Sequence, residues 1–291
     1  MKNSTEVRIA GRSVSAALLL FGLVCSEPLN AQAPTISAEG IVNAATGLRS
    51  ASVPVAARGS LISIYGQNLS HATISADAAP FPVQLGGTQV FIGGIAAPLL
   101  YVSANQVNVL VPFEVPDVGS TDLFVQNESG SSAVTQLTLL AQDPGIFEVF
   151  KSGFPVGPSN PISAGDSITI YATGLGVVVP PVPTGQPAPS SPLAIAAIPP
   201  VVKVGGQRMQ VSFAGLAPGL VVYQINATAP PTLAGQVAEI TVEPGVGQSL
   251  TARAAGIFRL PYGEFQGRLA QPDRQVRQDR RGRRVQPGRQ V

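Results

Sequence analysis

Residues 59–69 read Gly-Ser-Leu-Ile-Ser-Ile-Tyr-Gly-Gln-Asn-Leu, and residues 165–175 read Gly-Asp-Ser-Ile-Thr-Ile-Tyr-Ala-Thr-Gly-Leu. Ile62, Ile64 and Tyr65 answer to Ile168, Ile170 and Tyr171. Apolar and polar residues alternate and β-branched residues dominate the apolar set, so each stretch predicts a strand with one buried face. Asn68 and its counterpart Gly174 suit a left-handed residue in the turn that follows. A strand that comes twice predicts a fold that comes twice.

Working outward, further pairs of segments match. Gly93-Gly94 after residues 88–92 is a hairpin signal, and Gly205-Gly206 follows residues 201–204 in the same way. Residues 97–102 then read as a return strand. Gln106-Val-Asn-Val-Leu-Val-Pro112 matches Gln224-Ile-Asn-Ala-Thr-Ala-Pro230. Period two puts Val107, Val109 and Val111 on the core face, with Ile225, Ala227 and Ala229 as their equivalents. Residues 122–126 and 132–140 are expected to close the first unit, and residues 237–242 and 248–254 the second. The offset between matching positions grows from 106 at the first strand to 118 at the Gln-x-Asn strand. The extra residues fall in the proline-rich stretch 177–200 and around 213–220, both read as loops. Gly145-Ile-Phe147, read as the connection between units, returns as Gly256-Ile-Phe258.

Composition agrees with many short strands. Of 291 residues 31 are glycine and 27 proline, only 12% are charged, and no helical periodicity is visible. About seven strands per unit of about 105 residues predicts an all-β chain of two tandem immunoglobulin-like β-sandwiches. The chain has no tryptophan and a single cysteine, Cys25, so the Cys…Trp…Cys core of antibody domains is absent.

Charge is unevenly spread. Residues 34–256 hold six basic against eleven acidic residues, a net of about −5; residues 257–291 hold nine arginines against three acids, a net of about +6. The pI near 8.9 therefore comes from the tail, and no nucleic acid is expected on the folded part. Residues 257–291 are expected to be a disordered Arg-rich tail, since residues 266–291 offer almost nothing apolar to bury. Residues 1–33 read as a signal peptide: Lys2, Arg8 and Arg12 precede a 12-residue apolar run at 14–25, too short to span a bilayer, and Ala31-Gln-Ala33 fits a cleavage site. Removal of Cys25 with that segment leaves no thiol for a disulfide, a metal or a nucleophile. The expected division is signal 1–33, first domain 34–142, second domain 143–256 and tail 257–291, with no transmembrane segment after signal removal.

Val42-Asn-Ala-Ala45, residues 59–69, Leu85-Gly-Gly-Thr-Gln-Val90, Ala97-Pro-Leu-Leu-Tyr-Val-Ser103, Gln106-Val-Asn108 with Val111-Pro112, and Pro144-Gly-Ile-Phe147 occur in this order. Over roughly residues 41–255 the chain resembles an uncharacterised C-terminal domain family of secreted Solibacter and other acidobacterial proteins, itself similar to the IPT/TIG branch of immunoglobulin-like folds. The resemblance implies an exported bacterial protein built of Ig-like units and brings no catalytic residues with it.

The residues themselves carry little chemistry. His71 is the only histidine and sits in a polar loop with no Gly-x-Ser-x-Gly elbow in the chain. Glu114, Asp117, Asp122 and Glu128 lack the spacing of a calcium loop. Gly86-Gly87 and Gly93-Gly94 have neither the lysine nor the helix of a phosphate loop. The run from Arg274 to Arg289 has no interleaved aromatics. Tyr65, Tyr101, Tyr171 and Tyr223, with Asn108 and Asn226, recur at matching or nearby places. They read first as core plugs and backbone partners, and second as contacts to a sugar or peptide. The expectation is a secreted, non-enzymatic binding, adhesion or structural module with no cofactor and no metal, acting on a protein or polysaccharide partner outside the cell; the alternative is an accessory carbohydrate-binding module.

Overall fold

The computed structural model describes residues 32–49, 51–116, 119–237, 239–245 and 252–253. Residues 1–31 of the expected signal, with Cys25, the Arg-rich tail, Asp117 and most of the strand expected at 248–254 lie outside them. The described residues form two β-sandwiches and no helix.

In the first sandwich, one sheet runs in the order Thr35–Asn43, Leu61–Gln67, Gln106–Leu110, Leu99–Val102, Ile74–Ser75. The facing sheet runs Val55–Ala57, Thr135–Leu140, Gly119–Asn127, Gln89–Ile92, Ile95–Ala96. In the second sandwich, the large sheet runs Phe154–Pro155, Gly145–Lys151, Ser167–Thr173, Tyr223–Thr228, Gln210–Leu216, Ile195–Ala196, Val178–Val179, and faces a sheet ordered Gln207–Arg208, Val201–Val204, Ile240–Glu243, Ala252–Arg253. The matched segments occupy matching places: Leu61–Gln67 beside Gln106–Leu110, and Ser167–Thr173 beside Tyr223–Thr228.

Each sandwich fills its own interior. Ile62, Ile64, Val107, Val109, Val111, Leu123 and Leu137 meet in the first, and Ile168, Ile170, Ile225, Ala227, Val202 and Val242 in the second. The period-two assignment of the Gln-x-Asn strands therefore holds. Asn68 has φ 54° and Gly174 φ 78°, the left-handed turn residues expected there.

Several expectations change. Gly145–Lys151 is no connector; it is the second sandwich's first strand, paired with Ser167–Thr173. A register shift between Ile146 and Glu148 breaks its period and hides it from alternation. Thr35–Asn43 and the short Val55–Ala57, which runs parallel to Thr135–Leu140, were likewise not legible. The return strand after Gly93-Gly94 is only Ile95–Ala96; Leu99–Val102 crosses to the other sheet. Pro98 stands at the crossing, where it has no N–H for a ladder, and its carbonyl takes Leu110 N at 2.9 Å. The proline-rich stretch adds two short strands to the large sheet, and the extra residues near 213 continue Gln210–Leu216 around a bulge.

The strand that opened the reading has two buried faces, not one. Leu61 and Leu110, opposite the core, join Ala44 and Leu100 against Val221 and Phe147 of the second sandwich. Polar contacts line the same junction. Asn43 Nδ2 donates to the Asp143 carbonyl at 3.0 Å, Leu61 N to Thr173 Oγ1 at 2.6 Å, and Phe113 N to Thr184 Oγ1 at 2.7 Å. Two glycines permit the approach: a Cβ on Gly145 would meet Asn43 Oδ1, and one on Gly59 would meet the Tyr223 hydroxyl of the second sandwich. Residues 32–245 thus pack as one compact body.

Candidate functional site

Alternation that points one set of side chains inward points the other set outward, so a sandwich offers ligands its outer sheet faces and its loops. The six sequence candidates separate on this basis. Tyr223 is wholly buried; its hydroxyl donates to the Gly176 carbonyl, and burial pushes its pKa well up against a smaller opposing pull from Arg58. Tyr171 is 7% exposed and packs with Ala217 and Val222 and, edge-on at 5.9 Å, with Phe150. Burial raises its pKa too. Asn108 is buried at 1%, where its Oδ1 accepts from Ser63 Oγ and Gln106 Nε2, both at 2.9 Å. Tyr65, Tyr101 and Asn226 keep partial exposure.

The Gln-x-Asn repeat has a local cause. In both strands the glutamine amide reaches two residues along to its asparagine, Gln106 Nε2 to Asn108 Oδ1 and Gln224 Nε2 to Asn226 Oδ1, each at 2.9 Å. The pair lies on one face because residues i and i+2 do. In the first sandwich this row is closed over three strands: Val42, Ser63 and Asn108, adjacent in register, are 7%, 3% and 1% exposed, and only Tyr101 beyond them keeps partial exposure. In the second it is open.

The open face belongs to the large sheet. Register places Phe150 beside Thr169, Thr169 beside Asn226, and Asn226 beside Phe213, one row across four strands. All four side chains are partly exposed. The next row is Glu148, Tyr171, Gln224 and Gly215. Burial raises the Glu148 carboxyl above the usual range. Sequence reading found Tyr171 and Asn226 but missed Phe150, Phe213 and Glu148. Both phenylalanines stand out of phase with the core residues of their strands, but each strand is interrupted by a bulge that obscures the phase.

The other candidates resolve into local structure. His71 Nε2 lies 3.0 Å from Ser129 Oγ, an exposed contact that joins its loop to the turn at Asn127, whose Nδ2 donates to the Asn68 carbonyl at 2.8 Å. Of the acidic cluster, Glu114 accepts from Thr184 Oγ1 at 2.6 Å and Asp122 from Gln136 Nε2 at 2.5 Å. Among the described residues no group of three or more His, Cys, Asp or Glu side chains is placed to hold a metal ion, and no helix is long and apolar enough to cross a membrane.

Residues 48–139 match the IPT/TIG domain. The match falls on the first sandwich, the half in which Val42, Ser63 and Asn108 are buried. No curated protein matches the chain. Among solved structures, the chain is similar to the surface glycan-binding protein PbSGBP-B from Prevotella bryantii (15% identity, 76% of this chain, 41% of that one, TM-score 0.25). It is also similar to SGBP-B of the Bacteroides ovatus mixed-linkage glucan utilization locus, in complex with a mixed-linkage heptasaccharide (15%, 70% and 43%, TM-score 0.31). Domains 5–6 of the S-layer protein SbsC are a third (11%, 76% and 96%, TM-score 0.24). The chain spans less than half the length of the two glycan-binding chains.

Proposed function

We propose that this is an exported, non-catalytic binding module, its signal in residues 1–33 and its two domains at 34–142 and 143–256, akin to the secreted acidobacterial C-terminal domain family. The observation that supports the reading is the partly exposed row Phe150–Thr169–Asn226–Phe213 on a sheet whose other face is spent on the core. Rings and uncommitted polar groups side by side on a rigid sheet favour recognition. The partner is a protein or a polysaccharide at the cell exterior, in an adhesive or structural role. A second reading, an accessory module in extracellular polysaccharide use, is favoured by the mixture of aromatic and amide side chains on that row. The test has two parts. Fractionation of the native host should find the mature chain outside the cytoplasm with its first 31 or 33 residues missing. Retention on isolated envelope or matrix material should fall when Phe213 is changed to Ala. A cytoplasmic, unprocessed chain would end the reading.

A further inference from the structure

We propose that the row Phe150–Thr169–Asn226–Phe213 takes a neutral polysaccharide chain laid across the strands; this rests on the binding-module reading and names its ligand class. Three strand spacings separate Phe150 from Phe213, about 14 Å at the usual distance between strands. That length accommodates a short run of sugar rings. A pyranose presents C–H faces and hydroxyl edges, and the row answers both. Phenylalanine rings stand at its ends to stack on the C–H faces. A hydroxyl and an amide lie between them to meet the hydroxyl edges.

The polar floor has bonding capacity to spare. Asn226 Oδ1 is occupied by Gln224 Nε2. Asn226 Nδ2, Gln224 Oε1 and Thr169 Oγ1 have no partner among the described residues, so a donor and two acceptors face the same row. Beside Gln224 the register sets Gly215, where the backbone of Ala194 and Ile195 lies close and closes that end of the second row.

Charge selects the polymer. On the two rows the only ionisable groups are Glu148, whose carboxyl burial raises, and the buried phenol of Tyr171, so neither row offers a positive charge. No lysine or arginine stands there to recognise phosphate, sulfate or uronate. A protein partner would be expected to meet an apolar centre with a polar rim, whereas here the centre is polar and the aromatics lie at the ends. The first sandwich competes poorly, because Val42, Ser63 and Asn108 of its equivalent row are buried and only Tyr101 keeps partial exposure.

The experiment uses the full mature chain on insoluble cellulose, mannan and xylan and on soluble mixed-linkage glucan, with polygalacturonate as the charged comparison. Retention is expected on at least one neutral polymer, with at least a roughly tenfold loss in Phe213→Ala, the order expected for removing one stacking ring with its buried area. Asn226→Ala should weaken retention, and Phe124→Ala, on the first sandwich, should leave it unchanged. The chain has no tryptophan, so Phe213→Trp places a single indole on the row. Its emission should shift on adding the retained glycan, an answer that survives if an alanine variant fails to fold. Retention indifferent to Phe213 and Asn226, or preference for polygalacturonate, overturns the proposal. If no glycan binds but a purified envelope protein holds wild type and not Phe213→Ala, the glycan inference falls and the binding-module reading stands. If neither material binds, both fall.

Discussion

Tyr223 shows how a single side chain is committed. Its ring fills the second core and its hydroxyl satisfies the Gly176 carbonyl. Tyr223→Phe should cost about 1 kcal/mol and Tyr223→Ala about 3–5 kcal/mol, read by urea denaturation; equal losses would mean that the hydroxyl bond dominates. Two carboxyls should move stability in opposite directions with pH. Asp166 accepts Ser163 N at 2.8 Å and pairs with Lys151 Nζ at 3.1 Å, and the backbone bond is the main cause of its lowered pKa. Its contribution is therefore present above the ordinary aspartate value and lost as pH falls through the depressed one. Glu148 is raised by burial, so its contribution is present below the ordinary glutamate value and lost as pH rises through the raised one. Relative to wild type, Asp166→Asn should lose more at about pH 7 than at about pH 2, and Glu148→Gln should compare better at about pH 7 than at about pH 3. Denaturation midpoints at these pH values check both signs.

At the scale of the element, the two glycine-marked turns differ in kind. Gly94 ends a hairpin at φ 76° with nothing within 4 Å of an added Cβ, so Gly94→Ala should cost only the left-handed penalty, about 1–2 kcal/mol. Gly174 has a similar φ, but its Cβ would lie 1.8 Å from the Asp143 carbonyl oxygen. Gly174→Ala should exceed that cost and displace the backbone that leads into Gly145–Lys151. A comparison of melting midpoints decides; equal shifts would mean that the contact at Asp143 relaxes freely. Much at this scale was legible. The strands at 61, 88, 106, 167, 201 and 224 follow from alternation, and the turns from glycine pairs and the Asn68/Gly174 equivalence. The strand at Gly145–Lys151 was not, because a bulge breaks its period, and neither was the crossing at Pro98, because alternation assigns a strand but not its partner.

In the whole molecule, the decisive feature is the covered outer face of Leu61–Gln67. Leu61, Leu100 and Leu110 lie against Val221 and Phe147, and hydrogen bonds from Asn43, Leu61 and Phe113 cross the same junction. The proline-rich stretch contributes Thr184, which joins Phe113 N to the Glu114 carboxylate. A junction of this kind should make the two cores unfold together. Calorimetry of the wild type is expected to give one transition, and Val221→Asp, which buries an unpaired charge, should lower it by several kcal/mol and separate the halves. Two transitions in the wild type would show that the contact does not couple them.

The amino-acid order alone determined that the described residues are all-β, that a strand beginning near 61 or 167 lies with a Gln-x-Asn strand in each half, and which residues of the Gln-x-Asn strands face the core, because alternation and turn chemistry are local and survive without knowledge of neighbours. Only the tertiary structure decided which outward faces stay open. Asn108 and Asn226 occupy the same place in the same motif, yet one is buried and the other partly exposed. Exposure is set by whatever packs above a side chain, and residues distant in the chain supply that cover.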